Sequence, residues 1–161
     1  MTTEITFTNH TDLTRILAFE PWAHAYEVGP GDRAQIVCEA GNPRIEFSLE
    51  RDGAIYVSVY AAPITITAGG HHDTFPGPDF DDDDPMGQIF VLNDTDGVQE
   101  LAVEPLARLY RLKPGSKASI NFSSEGPRIA LGLRADCSLS AHVQANHILA
   151  DVGDDHEELK A

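Results

Sequence analysis

Residues 9–45 read NHTDLTRILAFEPWAHAYEVGPGDRAQIVCEAGNPRI, and 84 positions later residues 93–129 read NDTDGVQELAVEPLARLYRLKPGSKASINFSSEGPRI. The two segments align without a gap and are identical at 16 of 37 positions. This self-similarity at one fixed offset indicates a tandem duplication, so the fold is predicted repeat by repeat. The predicted boundaries are 1–68 for β repeat one, 69–87 for a linker, 88–152 for β repeat two and 153–161 for a tail.

The size of each repeat predicts that the two copies pack on each other. A unit of about 65 residues buries only about 60% of its unfolded surface and is close to the lower limit for an independent core. Two copies of one unit also offer each other the same surface, as the subunits of a symmetric dimer do. We therefore expect two small homologous units arranged with pseudo-two-fold symmetry.

Apolar residues alternate with period two in both repeats, which is typical of half-buried strands. Ile45, Phe47 and Leu49 follow this period in repeat one, and the stretch from Ile129 to Leu133 keeps the same phase in repeat two. No segment shows a sustained helical period. The sequence predicts an all-β protein with six or seven short strands in each repeat, folded as a sandwich or a barrel.

The net charge of −15 is concentrated in two short segments. The linker contains six Asp and no Lys or Arg, and the tail from Asp151 contains five acidic residues against one Lys. Such blocks of like charge are typical of solvated, self-repelling segments. This distribution argues against a nucleic-acid partner and favours an acidic linker and an acidic tail.

The first residues lack the basic and apolar pattern of a secretion signal, and no stretch reaches the roughly 18 apolar residues that span a bilayer. Cys38 and Cys137 occupy different positions in the two repeats, so no disulfide was duplicated with the fold. We expect a cytoplasmic protein that does not enter a membrane.

Two ionic residues recur in both repeats: Glu20 with Arg44, and Glu104 with Arg128. One interpretation is a pair of equivalent functional sites, each with a carboxylate and a guanidinium. The interpretation that we favour is a structural ion pair, repeated because the fold is repeated. If such a pair is buried, loss of one partner costs about 3–5 kcal/mol.

The linker also contains residues of the kinds that bind divalent metals: His71, His72, Asp73 and Asp79. Imidazole and carboxylate groups bind Zn²⁺, and a run of Asp binds Ca²⁺. The spacing matches no closed set of ligands, however, and the two histidines are direct neighbours. We therefore expect no cofactor and keep a metal-binding linker as an alternative.

Repeat one carries three aromatic residues that repeat two lacks: Trp22, Tyr56 and Tyr60. Tyr56 and Tyr60 alternate with the apolar residues of their strand, which predicts an aromatic stripe on the face opposite the core. Aromatic side chains with polar tips are common anchors at interfaces. The alternative is that the other repeat or a second copy of the chain covers this face. The candidate binding residues are Trp22, Tyr26, Tyr56 and Tyr60.

The segment from Leu17 to Gly31 resembles a group of small, uncharacterised bacterial β proteins. The resemblance rests on the order Glu-Pro-Trp, Tyr and Pro-Gly, and it covers about fifteen residues of each repeat. Repeat two departs from it, with Leu106 at the position of the tryptophan. The resemblance implies a β fold and a bacterial origin, and no activity, ligand or site residue. The Pro-Gly turn is also similar to that of cupins and cupredoxins, but their clustered metal ligands do not occur here.

No nucleophile elbow, phosphate-binding glycine loop or metal-binding helix motif occurs in the chain. We therefore predict a protein that is not an enzyme and that binds a protein partner, or a second copy of itself, through the aromatic stripe. One alternative is a metal-binding protein that uses the linker. Another is an acidic inhibitor or immunity-type protein that occupies a basic site.

Overall fold

The computed structural model describes residues 2–39, 42–60, 63–77, 86–123, 126–152 and 155–160, the last six and residue 152 by their backbone alone. These residues form sixteen β-strands, and no helix occurs among them. The all-β prediction is therefore confirmed. Within this part of the chain there is accordingly no apolar helix of a length that crosses a membrane.

The strands follow one another in the same sequence order in the two halves of the chain. The first eight are β1 (Thr3–Asn9), β2 (Arg15–Glu20), β3 (His24–Val28), β4 (Arg33–Cys38), β5 (Arg44–Glu50), β6 (Ile55–Val59), β7 (Ile64–Ala68) and β8 (His71–Phe75). The second eight are β9 (Gly87–Asp94), β10 (Gln99–Glu104), β11 (Arg108–Leu112), β12 (Lys117–Ser123), β13 (Arg128–Leu133), β14 (Leu139–Gln144), β15 (His147–Val152) and β16 (Asp155–Lys160).

The sixteen strands form two sheets of eight. Sheet A has the order β11-β10-β14-β13-β1-β4-β7-β8, and sheet B has the order β16-β15-β12-β9-β5-β6-β2-β3. Each sheet therefore takes four adjacent strands from each half of the chain. The halves meet at two parallel strand pairs, β1 with β13 and β5 with β9.

The two parallel pairs have matching registers. Ile5 pairs with Ile129 in sheet A, and Ile45 pairs with Ile89 in sheet B. Each residue of the second pair lies 84 positions from its counterpart in the first. Because all four side chains are fully buried, a slip of one residue would expose them and is disfavoured.

The core lies between the two sheets. Phe7, Leu101 and Leu131 from sheet A and Phe47 and Val91 from sheet B border a single narrow apolar gap of about 10 Å³. The inward residues of both sheets therefore face each other, as in a β-sandwich. The gap has no polar lining and does not exceed the smallest volume that holds one water molecule, so it is expected to be dry.

A buried asparagine closes the same turn in each half. The Asn9 side-chain amide donates to the carbonyls of Leu13 and Val28 at 2.8 and 2.9 Å, and its oxygen accepts from the Thr11 amide and hydroxyl at 3.0 and 2.6 Å. Asn93 makes the corresponding four bonds at distances of 2.6 to 3.0 Å. Both asparagines are fully buried. The four hydrogen bonds of each one, which we call the asparagine brace, hold the end of one strand against the end of another.

The Glu-Pro turns also have the same backbone in both halves. The Glu20–Pro21 and Glu104–Pro105 peptide bonds are cis. Two residues later, Ala23 and Ala107 both have φ of 52°, in the left-handed region. The turns therefore reverse the chain in the same way before β3 and β11.

Three predicted features differ from the structure. Among the described residues each half has eight strands rather than six or seven, because His71–Phe75 of the predicted linker pairs with β7, and Asp155–Lys160 of the predicted tail pairs with β15. The acidic composition of the linker and the tail predicts that they bury few side chains in the core. An edge strand, however, needs only backbone hydrogen bonds to one neighbouring strand. Polar residues are therefore tolerated in β8 and β16.

We expect Asn9→Ala to lower the free energy of unfolding by about 1–3 kcal/mol, because it leaves buried backbone groups without partners. Asn93→Ala should cost a similar amount, since its bonds are the same. Urea unfolding followed by fluorescence measures both. Asp12→Ala, at an exposed position of the same turn, is the control and should stay within about 0.5 kcal/mol. Equal stability of the Asn9 and Asp12 variants would contradict the brace.

The two cysteines should differ in reactivity. Cys38 is fully buried, and this burial raises the pKa of its thiol to about 12, whereas Cys137 is exposed. Since the thiolate is the reactive form, Ellman's reagent should modify Cys137 in the folded protein and Cys38 only after denaturation. In the Cys137→Ser variant, rapid reaction of one thiol in the native state would contradict this placement.

Candidate functional site

The outer surface of sheet B carries a group of apolar and aromatic side chains, which we call the aromatic face: Tyr56, Tyr60, Phe90 and Leu92. Tyr56 and Tyr60 are each 40% exposed, while the alternating residues of β6 are buried. Phe90 and Leu92 are half-buried on β9. The alternation of strand side chains thus places them all on the side away from the core.

Strand pairing brings these residues together across β6, β5 and β9. Tyr56 pairs with Ser48, and Ser48 pairs with Leu92. Glu46 pairs with Phe90 in the next outward row. Small Ser48 lies between Tyr56 and Leu92 and is buried.

One cation already lies on the aromatic face. Lys117 Nζ is 4.7 Å from the centre of the Phe90 ring and 2.9 Å from Glu46 Oε2. An ammonium in this position is attracted both by the ring and by the carboxylate. Since Lys117 and Glu46 are partly exposed, this ion pair contributes little to stability.

The outer face of sheet A has different chemistry at the corresponding positions. Positions 84 residues apart give four replacements: Tyr56 by Ser140, Tyr60 by Gln144, Phe90 by Thr6 and Leu92 by Thr8. Strand pairing on that face is equivalent, because Ser140 pairs with Gly132 and Gly132 pairs with Thr8. The same strand arrangement is therefore compatible with polar side chains at all four positions.

A pocket of about 350 Å³ adjoins the aromatic face. Its lining consists of Glu50, Arg51, Asp52, Tyr56 and Asp94. Glu50 and Asp94 are direct partners in the parallel pair of β5 and β9, so their carboxyl groups are close. Arg51 Nε is 3.2 Å from Asp96 Oδ1, which places its charge beside another carboxylate.

The charge of Glu50 is destabilised by its surroundings. Partial burial raises the pKa of Glu50, and the neighbouring carboxylates of Asp94 and Asp52 raise it further. The Ser48 hydroxyl opposes this by donating to Glu50 Oε1 at 3.0 Å. The pocket therefore has a local excess of negative charge that a bound cation would relieve.

A second cluster, which we call the edge cluster, lies where edge strands β3 and β8 approach each other: Trp22, His24, Tyr26, Asp73 and Phe75. The Trp22 and Phe75 rings stack with centres 4.9 Å apart, and His24 lies 5.4 Å from Phe75 and 5.2 Å from Tyr26. The cluster joins sheet B to sheet A. Two groups of residues that the sequence analysis assigned to separate sites thus lie together.

Tyr26 belongs to the core rather than to the exposed aromatic stripe. It is 3% exposed, and its hydroxyl donates to Asp73 Oδ2 at 2.8 Å. Burial, the hydrogen bond and the charge of Asp73 all raise the pKa of Tyr26. The assignment of Tyr26 to the contact surface is therefore corrected. Trp22 is half-buried against Phe75 and lies in the edge cluster, separate from the aromatic face.

The predicted metal ligands do not converge. His71 and His72 are neighbours in β8, so they point to opposite sides of the strand. His72 Nδ1 is 2.7 Å from Thr67 Oγ1, whereas His71 lies toward Tyr26. Asp79 lies outside the described residues. Among the residues described, no three His, Cys, Asp or Glu side chains are placed to share a metal ion.

The two recurring arginines, Arg44 and Arg128, make contacts across the parallel strand pairs that join the two halves. Arg44 Nε donates to Gln88 Oε1 at 3.0 Å, and Arg128 Nε is 3.5 Å from Glu4 Oε2. Their predicted partners, Glu20 and Glu104, end β2 and β10. In sheet B, Glu20 pairs with Ser58 on β6, and Ser58 pairs with Glu46 on β5. The strand register therefore places Glu46, and not Arg44, in the same row as Glu20.

Several residues of these sites were missed in the sequence. The outward positions of Phe90 and Leu92 could be read from the inward alternation of Ile89 and Val91. The role of His24 and the position of Glu50 opposite Asp94 had no local signal in the sequence, since they depend on which strands become neighbours.

Comparison with protein-family models, curated proteins and solved structures finds no match to this chain.

Tyr26→Phe should lower the free energy of unfolding by about 1 kcal/mol at pH 7, because the hydrogen bond to Asp73 is lost. Since the pKa of Tyr26 is raised in the folded state, the unfolded chain ionises first above about pH 10, and the wild type loses stability there. The variant lacks this loss, so the difference between the two should shrink. Urea unfolding at about pH 7 and 10.5 tests this, and a difference that grows with pH would contradict it.

Proposed function

We propose that this protein is a non-catalytic binding module whose contact surface is the aromatic face of sheet B. The observation that carries the proposal is the contrast between Tyr56, Tyr60, Phe90 and Leu92 and the polar residues at the matching positions of sheet A. Exposed aromatic side chains that the fold does not require are typical of binding surfaces.

We further propose that the protein arose by tandem duplication and has pseudo-two-fold symmetry. The offset of 84 positions in the two parallel registers, in the buried asparagines and in the left-handed residues Ala23 and Ala107 supports this. In this arrangement the two outer faces are copies that diverged. Retention of the core with change on one outer face is what selection for binding on that face would produce.

The proposed partner is a protein or a second copy of this chain. Tyr56 and Tyr60 offer both ring surface and hydroxyl groups, the combination enriched at protein interfaces. The proposed location is the cytoplasm, supported by the free thiols of Cys38 and Cys137, which a reducing compartment preserves.

The test uses a variant that gives sheet B the residues of sheet A, Tyr56→Ser with Tyr60→Gln. Because both residues are exposed, the variant should fold with a thermal midpoint close to that of the wild type. Retention of a bound protein from a lysate of the source cells, or self-association in sedimentation velocity, should fall at least about tenfold.

The matched control is Ser140→Tyr with Gln144→Tyr, which makes the reciprocal change on sheet A. It should leave both readouts of the wild type unchanged. If the sheet B variant is folded and still associates as the wild type does, the aromatic face is not the contact surface and the proposed function is wrong.

A further inference from the structure

The pocket beside Tyr56 indicates the chemistry of the partner. We infer that it receives the guanidinium of an arginine side chain from the protein that covers the aromatic face. This inference rests on the proposed function, because the pocket and the face share Tyr56. It adds a charged anchor beside the aromatic and apolar side chains of this surface.

Three carboxyl groups lie around the pocket and favour a positively charged ligand. The parallel pairing of β5 and β9 places Glu50 directly opposite Asp94, and Asp52 lies on the same rim. Like charges opposite each other in a sheet are unfavourable. A cation bound beside them would be attracted to these carboxylates and would reduce their mutual repulsion. Both effects would contribute to the free energy of binding the partner.

The shape and lining of the pocket favour arginine. A volume of about 350 Å³ is ample for a side chain, and Tyr56 is part of the lining. Arg51 also lines the pocket, but its charge is already paired with Asp96 at 3.2 Å. The guanidinium is planar, donates two parallel hydrogen bonds to a carboxylate and stacks on aromatic rings. Glu50, Asp94 and Tyr56 together offer both kinds of contact. The Lys117 ammonium, between the Phe90 ring and Glu46, shows the same combination elsewhere on this face.

The corresponding positions in sheet A lack this chemistry. Positions 84 residues apart replace Glu50 by Arg134, Asp94 by His10 and Tyr56 by Ser140. Thus the strand arrangement does not require carboxylates at this place. Asp52 keeps a carboxylate at the matching position, Asp136, but the pair of carboxylates formed by Glu50 and Asp94 does not recur at Arg134 and His10.

Benzamidinium and benzamide provide matched probes, since they have nearly the same shape and differ in charge. Titration of the full-length protein, followed by ¹H–¹⁵N NMR, should show benzamidinium shifting amides around Glu50, Tyr56 and Asp94, with an affinity at least about tenfold above that of benzamide. The amides around Arg134 and Ser140 serve as an internal control and should not move.

The matched variant is Glu50→Gln with Asp94→Asn, which removes the charges and keeps the shape. It should fold at least as stably as the wild type and bind the two probes equally. Equal binding of both probes to the wild type, or selective binding that the variant retains, would overturn the inference.

Association with the partner separates the two proposals. If Tyr56→Ser with Tyr60→Gln abolishes association and the charge-neutral variant leaves it unchanged, the aromatic face stands and the arginine site is wrong. If the tyrosine variant has no effect, the proposed function itself fails. Weakening of association by both variants, with the larger loss in salt-free buffer for the charge-neutral one, supports both proposals.

Discussion

The two parallel strand pairs that join the halves are the constraint on which the other features depend. Pairing of β1 with β13 and of β5 with β9 turns four groups of four strands into two continuous sheets. The buried isoleucines in these pairs fix the register, because a shift by one residue would turn the apolar side chains toward water. The outer faces, the acidic pocket and the core gap all take their positions from this pairing.

The same constraint explains why two faces with one geometry differ in chemistry. Inward residues must fill the space between the sheets, so Ile5, Ile45, Ile89 and Ile129 are all isoleucine. Outward residues have no such requirement, and the fold accepts either Tyr56 or Ser140 at one position. A difference between the faces is thus not constrained by packing of the core.

The buried asparagine of each half has its hydrogen-bonding groups occupied by neighbouring residues. Asn9 and Asn93 each use their amide for four hydrogen bonds, which tie the turn after the first strand of each half to the end of a neighbouring strand. The hydroxyl of Tyr26 is used by Asp73 in a similar way. In contrast, Glu50 and Asp94 are two carboxyl groups paired across neighbouring strands, and the proximity of Asp94 adds to the effect of burial in raising the pKa of Glu50.

The all-β fold, the phase of the strands and the outward direction of Tyr56 and Tyr60 could all be predicted from the amino-acid sequence, because these follow from local alternation. The sequence did not reveal β8 and β16, whose polar residues carry no apolar pattern and which form by backbone pairing with a neighbour. Only the tertiary structure decided that Tyr26 is buried beside Asp73, that His71 and His72 diverge, and that Glu50 meets Asp94. Each of these depends on which distant strands become adjacent, and the free energy that selects those neighbours comes from burial of the whole core rather than from any one segment.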